Sequence, residues 1–161
     1  MVFRLPLVFS ILLFISFSCK TPREIPADLS TLTKEIIMEK NPCFGTCPYY
    51  TLTIYENGIA SFEGKRDVEK LGMHTKILSS KEYEGVQRAF KASNFFELDD
   101  DYPSGLSDLP KTVITYHKEG KSKTVTGDIE RPDIVLGLDK ILSQIAESGG
   151  WTLKATSSGN D

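Results

Sequence analysis

Histidine, cysteine and tryptophan are scarce in this chain: 161 residues contain two His, three Cys and one Trp. That scarcity removes most metal and nucleophile chemistry. A zinc site needs Cys or His ligands at paired spacings, and His74 and His117 stand alone. There is no Gly-x-Ser-x-Gly elbow, and two scattered histidines place no base beside a hydroxyl or thiol. Positive charge is also in short supply. Lys plus Arg total 19 against 22 Asp plus Glu, for a formal net charge of −3. Without a basic stripe to displace counterions, nucleic acid is excluded as a partner, and no electrostatic pull draws the chain to anionic lipid. Internal repeats and low-complexity blocks are absent. The length suits one domain, which buries about two-thirds of its unfolded surface and needs neither metal nor dense disulfides to fold. No cofactor, no metal ligand set and no catalytic residue is expected, so the chain does not read as an enzyme.

What is present begins at the N-terminus. Met1 to Arg4 supplies one positive charge, Leu5 to Phe17 is nearly unbroken hydrophobe, and Ser16-Phe-Ser-Cys19 closes the run. A spanning helix needs about 20 apolar residues. This run is shorter, contains Pro6 and meets Lys20, Arg23 and Glu24 within a few positions. The layout resembles the signal peptide of a bacterial lipoprotein, with Ser16 where Leu is usual. On that reading residues 1–18 are removed and Cys19 carries lipid, the membrane being reached through acyl chains. A cut near Ser18 by the ordinary signal peptidase is the alternative. Residues 20–33 mix Pro, charge and hydroxyls without period and read as a flexible tether. Lys20 is not the Asp that retains lipoproteins at the inner membrane, which points to the outer membrane of the cell envelope.

Cys43 and Cys47 remain. An even pair in an exported protein reads as a disulfide, and Gly45 supplies the freedom that so short a loop requires. Cys-x-x-x-Cys-Pro also resembles the copper-binding segment of thioredoxin-fold copper chaperones, where a distant histidine, here His74 or His117, completes the site. Thiolates suit Cu(I), but such a fold places a helix after the motif, whereas Tyr49 to Tyr55 alternates as a strand does.

The domain is expected over residues 34–151. Strands are read at 35–39, 49–55, 59–63 and 73–78, with Asn57-Gly58 as a tight turn having positive φ at both positions. Ser79-Ser-Lys-Glu82 carries capping-box spacing and opens a helix with Tyr83, Val86, Ala89 and Phe90 on one face. A second hairpin follows, 112–117 and 121–126, around Glu119-Gly120. Pro132 starts a last helix with Ile134, Leu138, Ile141 and Ile145 on one stripe, and Gly149-Gly150 stop it. Trp151 is expected to fold back on its last turn. The pattern predicts an α+β fold: an antiparallel sheet built from two runs of strands, each followed by one helix. Residues 152–161 read as a loose tail.

The segment PCFGTCPYYTLTIYENG at 42–58, followed by Asp108-Leu-Pro110 before the next hairpin, resembles a family of uncharacterised small domains of Bacteroidota lipoproteins and secreted proteins. Its signature is similar to CFG-x-CP-x-Y, an Ile-Tyr-x-x-Gly hairpin and a downstream Asp-x-Pro. The resemblance implies a lipoprotein of unknown function and supplies no catalytic residues. Asp99-Asp-Asp101 fails the EF-hand pattern, because Ser104 replaces the sixth-position glycine and Pro110 the twelfth-position glutamate. Asp108 reads as a loop cap or a partner contact. The outward row Tyr49, Thr51, Thr53 and Tyr55 is the candidate partner surface, since tyrosines bring large contact area at low entropic cost. The expectation is a lipid-anchored, non-catalytic interaction domain for another envelope protein. Its rivals are a copper or redox protein using Cys43 and Cys47, and a domain that presents a loop to inhibit a hydrolase.

Overall fold

The computed structural model describes residues 23–106 and 108–154. The expected signal peptide 1–18, the lipidation site Cys19 and the tail from 155 onward lie outside the described residues. Eight strands form one sheet: β1 (Lys34–Lys40), β2 (Tyr49–Tyr55), β3 (Ile59–Arg66), β4 (Gly72–Ile77), β5 (Asp101–Tyr102), β6 (Thr112–Lys118), β7 (Lys121–Gly127) and β8 (Thr152–Leu153). Two helices, α1 (Ser80–Ala92) and α2 (Asp133–Glu147), complete the α+β fold. The strand order is β5-β7-β6-β1-β2-β3-β4-β8. Every pairing is antiparallel except β5 with β7, which is parallel. The two expected runs of strands are therefore joined edge to edge, β1 pairing with both β2 and β6. A short strand also follows the last helix, so the tail expected from residue 152 begins with β8 on the edge of β4.

Alternation decides which face is covered. Ile36, Met38, Leu52, Ile54, Phe62, Ile114 and Val125 share one face by register and merge with Val86, Phe90, Leu138, Leu142 and Ile145 into one buried cluster. Burying such side chains supplies the main favourable term of the fold. The apolar stripe of α2 is Val135, Leu138, Leu142 and Ile145. Ile134, expected on the stripe, is 40% exposed. It lies one residue, or 100° of helix, from Val135.

The local signals act as chemistry demands. Ser79 Oγ accepts the Glu82 N–H at 3.2 Å, and Glu82 returns a carboxylate to the Ser79 N–H at 2.8 Å. Trp151 Nε1 donates to the Ile145 carbonyl at 3.3 Å, folding back on α2. The Asn57-Gly58 turn differs from expectation. Gly58 has φ 75° while Asn57 does not enter the positive region, and the Gly58 N–H meets the Tyr55 carbonyl at 2.9 Å. This is a longer loop ending in a left-handed glycine rather than a two-residue primed turn. The primed geometry occurs in the other hairpin, where Glu119 (φ 52°) and Gly120 (φ 76°) are both positive between the paired Lys118 and Lys121.

At the start of β1, Glu35 is fully buried. One carboxylate oxygen accepts from Lys118 at 2.8 Å, the other from the Tyr83 hydroxyl at 2.8 Å and Gln87 at 2.7 Å. The knot ties β1, β6 and α1 together. Of the stretch read as a tether, residues 23–33 are bound to the domain. Arg23 donates to the carbonyls of Asn57 and Leu78, Thr33 accepts from Glu56 N–H, and Asp28 caps a 3-10 turn at Leu29–Thr31 within reach of the Lys154 charge. On the outward face of β2 to β4, Tyr55, Ile59, Ser61 and Thr75 are buried.

Candidate functional site

Cys43 and Cys47 are joined in a disulfide with Cα atoms 5.7 Å apart. The loop lifts Phe44 almost wholly into solvent, 94% exposed. His117 lies at the far end of β6 from this loop, next to the Glu119-Gly120 turn, while His74 packs edge-on to Phe62 on the covered face. Among the described residues, no three His, Cys, Asp or Glu side chains converge.

The candidate row on β2 does not form one open surface. Tyr49 is half-buried beneath the Lys65 ammonium, 4.9 Å from its ring centroid, and Thr51 is half-buried between Glu39 and Glu63. Thr53 (7% exposed) and Tyr55 (4%) are buried, Tyr55 sharing a hydrogen bond with Ser61. Asp108 stands exposed with φ 67° in the loop leading to Pro110. The aspartate that pins the 103–106 loop is Asp128, whose carboxylate accepts from Ser104 N–H at 3.1 Å and Ser104 Oγ at 2.8 Å. Those bonds hold its pKa below the ordinary value. Asp99, Asp100 and Asp101 are exposed, with Asp100 paired to Lys123.

A different set of residues converges where β1 ends. The disulfide loop, the 67–70 turn, Pro110, the 128–131 loop and α2 enclose a cavity of about 500 Å³. This volume lies in the range that receives small molecules. Its apolar wall includes Pro48, Phe62, Val68, Ile129 and Ala146. Two glycines on the covered face let the wall close in. A Cβ at Gly64 would lie 1.7 Å from the Lys70 carbonyl oxygen, and one at Gly127 would lie 2.4 Å from Arg131 Cγ.

Its polar floor is made of Lys40, Thr112, Arg131 and Ser143, which converge on Asp139 of α2 behind them, 10% exposed. One carboxylate oxygen receives Lys40 and Ser143, the latter at 3.1 Å. The other receives Arg131 Nη2 at 2.8 Å and Thr112 at 3.3 Å. Burial alone would raise the carboxyl pKa, but the hydrogen bonds and charges of Lys40 and Arg131 outweigh it and hold the carboxyl below its ordinary value. Arg131 is 9% exposed, with Nε donating to the Asp128 carbonyl at 2.6 Å. Its Nη1 is buried without a hydrogen-bond partner among the described residues. Tyr50 reaches Ser143 at 3.5 Å, and burial pushes its phenol up to about 12.

Sequence reading missed Lys40, Arg131 and Asp139. The signal was there: Lys40 occupies the covered face two residues after Met38, and Asp139 lies at helical spacing within the stripe of α2. A charge on an inward position must be paired.

The described residues form an α+β fold, a helix-covered, mostly antiparallel sheet with a cavity at one end. Residues 34–147, from the first residue of β1 to the last of α2, match the family described as Domain of unknown function (DUF6438), and the chain belongs to that family. No curated protein is similar to it.

Proposed function

We propose that this chain is a lipid-anchored, non-catalytic binding domain of the cell envelope, which holds another envelope component through the cavity at the end of β1. The cavity carries the reading: about 500 Å³, walled by apolar side chains over a buried polar floor. A few placed polar groups in an apolar concavity are the usual form of a ligand site. The floor is badly suited to catalysis and well suited to holding. Asp139 is a poor base because two cations stabilise its charged form, and Tyr50 is a poor nucleophile because burial keeps its proton on. The charged start, apolar run and Ser18-Cys19 junction support the anchor, and the CFGTCPYY segment at 43–50 supports kinship with Bacteroidota lipoproteins, with the outer membrane as the site.

Two measurements test this. The full chain expressed in a Gram-negative host is expected to partition with membranes and incorporate labelled fatty acid, and Cys19→Ala to lose the label; an unlabelled, soluble wild type refutes the anchor. Trp151, the sole tryptophan, packs 5.8 Å from Phe62 on the cavity wall. Titration with octanamide should change its fluorescence, and Ile129→Phe at the exposed mouth should weaken the response. A flat titration refutes the cavity.

A further inference from the structure

The register sorts the connections between elements to the two ends of the sheet. β1 runs from Lys34 to Lys40, and β2 and β6 run against it. The connections 41–48, 67–71, 103–111 and 128–132 therefore lie at the end where β1 stops, around the cavity. Connections 56–58, 78–79 and 119–120 lie where it starts. The two ends differ in what they expose. Each connection at the cavity end shows one large apolar side chain more than half exposed: Phe44, Leu71, Leu106 and Ile129. Those at the other end show none, and present Glu56, Asn57, Ser79 and Glu119 instead.

The N-terminal segment is fastened to that polar end. Arg23 lays its guanidinium across two of the connections, Nη1 donating to the Asn57 carbonyl at 3.0 Å and Nη2 to the Leu78 carbonyl at 3.3 Å. Gly58 makes the seat: a Cβ there would lie 2.3 Å from Arg23 Nη1. Further along, Ile25, Pro26, Leu29 and Leu32 are half-buried, and the Thr33 carbonyl accepts the Glu56 N–H at 3.1 Å. Lys20, Thr21 and Pro22 alone separate Arg23 from Cys19. Four residue steps span at most about 14 Å. The seven residues of β1 by themselves run about 20 Å. A domain turned over, cavity end against the bilayer, would lift Arg23 beyond the reach of a lipid on Cys19.

We propose that the domain stands on the bilayer by its Arg23 end, with the cavity mouth and the apolar crown of Phe44, Leu71, Leu106 and Ile129 held off the surface and turned away from it. This goes beyond the reading of a lipid-anchored binding domain and rests on its lipid at Cys19. The polar end suits contact with zwitterionic head groups without insertion. The apolar end is the one a membrane would draw in, and the short tie keeps it free to meet another envelope component.

The test uses the full lipidated chain in phosphatidylcholine vesicles, some of whose head groups carry a nitroxide that quenches a fluorophore only at close range. With Cys19 acylated and Cys43 bonded to Cys47, an added cysteine is the one thiol to label. Lys81→Cys, exposed in the first turn of α1 at the Arg23 end, should lose most of its emission, and Glu130→Cys, exposed beside Ile129, should keep it. Ser80→Cys and Asp133→Cys, also exposed, replace either variant that fails to fold. A Gly-Ser insert of about 16 residues after Pro22, with a reach of about 22 Å, should let the crown meet the bilayer and bring quenching to Glu130→Cys. Equal quenching at the two sites without the insert, or more at Glu130→Cys, overturns the orientation, and so does an insert that changes nothing. Flotation with the vesicles reads the anchor separately. A chain that floats without the contrast keeps its anchor and loses the orientation; one that carries no lipid and does not float loses both.

Discussion

Glu35 and Asp139 are both buried carboxylates under the helix layer, at opposite ends of β1, and their surroundings differ. Glu35 receives Lys118, Tyr83 and Gln87 on its two oxygens. The nearby hollow of about 590 Å³, between α1 and the second hairpin, is rimmed by surface charges such as Arg88, Lys91 and Lys121. Asp139 is as well coordinated, but its partners include a guanidinium with an unbonded nitrogen beside an apolar cavity. The larger hollow is thus the less site-like one. A polar cluster whose donors and acceptors all meet one another is a structural tie, and one with a donor left over is not closed on itself.

The largest expected effect separates the ends by stability. Asp139→Ala leaves the buried Arg131 and the part-buried Lys40 without their shared counter-charge and should cost about 3–5 kcal/mol. Glu35→Ala should cost less, about 1–3 kcal/mol, because the Lys118 side chain is 41% exposed and can return to water. Urea unfolding of the two variants measures both, and equal losses would break the contrast.

Removing the disulfide is the intermediate case. Cys43→Ser with Cys47→Ser opens a loop only five residues long, worth about 2 kcal/mol in the loop-entropy account. Cys47 lines the cavity, so the loss should be local. Amide exchange is expected to quicken around 41–50 and 128–131 and to stay unchanged around Glu35. Uniform loss of protection would show the bond braces the whole domain.

The smallest effect is a tilt with pH, of opposite sign at the two ends. The folded pKa of Asp139 lies below the ordinary 3.8, so its stabilisation is present above that pH and is lost as pH falls through the folded value. Lys118 is raised above 10.5, chiefly by its hydrogen bond to Glu35, so its stabilisation holds below that pH and is lost as pH climbs through the folded value. Acid should loosen the cavity end first and alkali the Glu35 end. Amide exchange at both extremes checks this, with Asp139→Asn flattening the acid limb.

Most elements were legible because their signals are local. Alternation marked β2 and β3, the Ser79–Glu82 box placed α1, and Pro132 and Gly149 bracketed α2. What escaped depends on partners distant in sequence. Nothing in residues 101–102 or 152–153 marks a strand, since two residues carry no period; they are strands only because β7 and β4 offer edges. Insertion of β1 between β2 and β6 joins segments some 75 residues apart in sequence, a choice periodicity does not encode. Thr53 and Tyr55 alternate outward as expected but are buried, which alternation alone does not reveal. The disulfide pair was legible from cysteine number and export. The cavity floor was not, because Lys40, Arg131 and Asp139 become a cluster only after β1, β7 and α2 are in place.

The course of β1 has a mechanical consequence. It enters beside the Tyr55–Gly58 turn, close to where Arg23 and Thr33 fasten the N-terminal segment, and ends at Lys40 on the cavity floor, with a hydrogen-bonded neighbour along each side. Ladder bonds run perpendicular to the strand. Tension between the N-terminus and an object seated in the cavity therefore runs along β1, and both ladders must shear together before it yields. The strand that anchors the sheet is also the load path that links the N-terminal segment to the cavity floor.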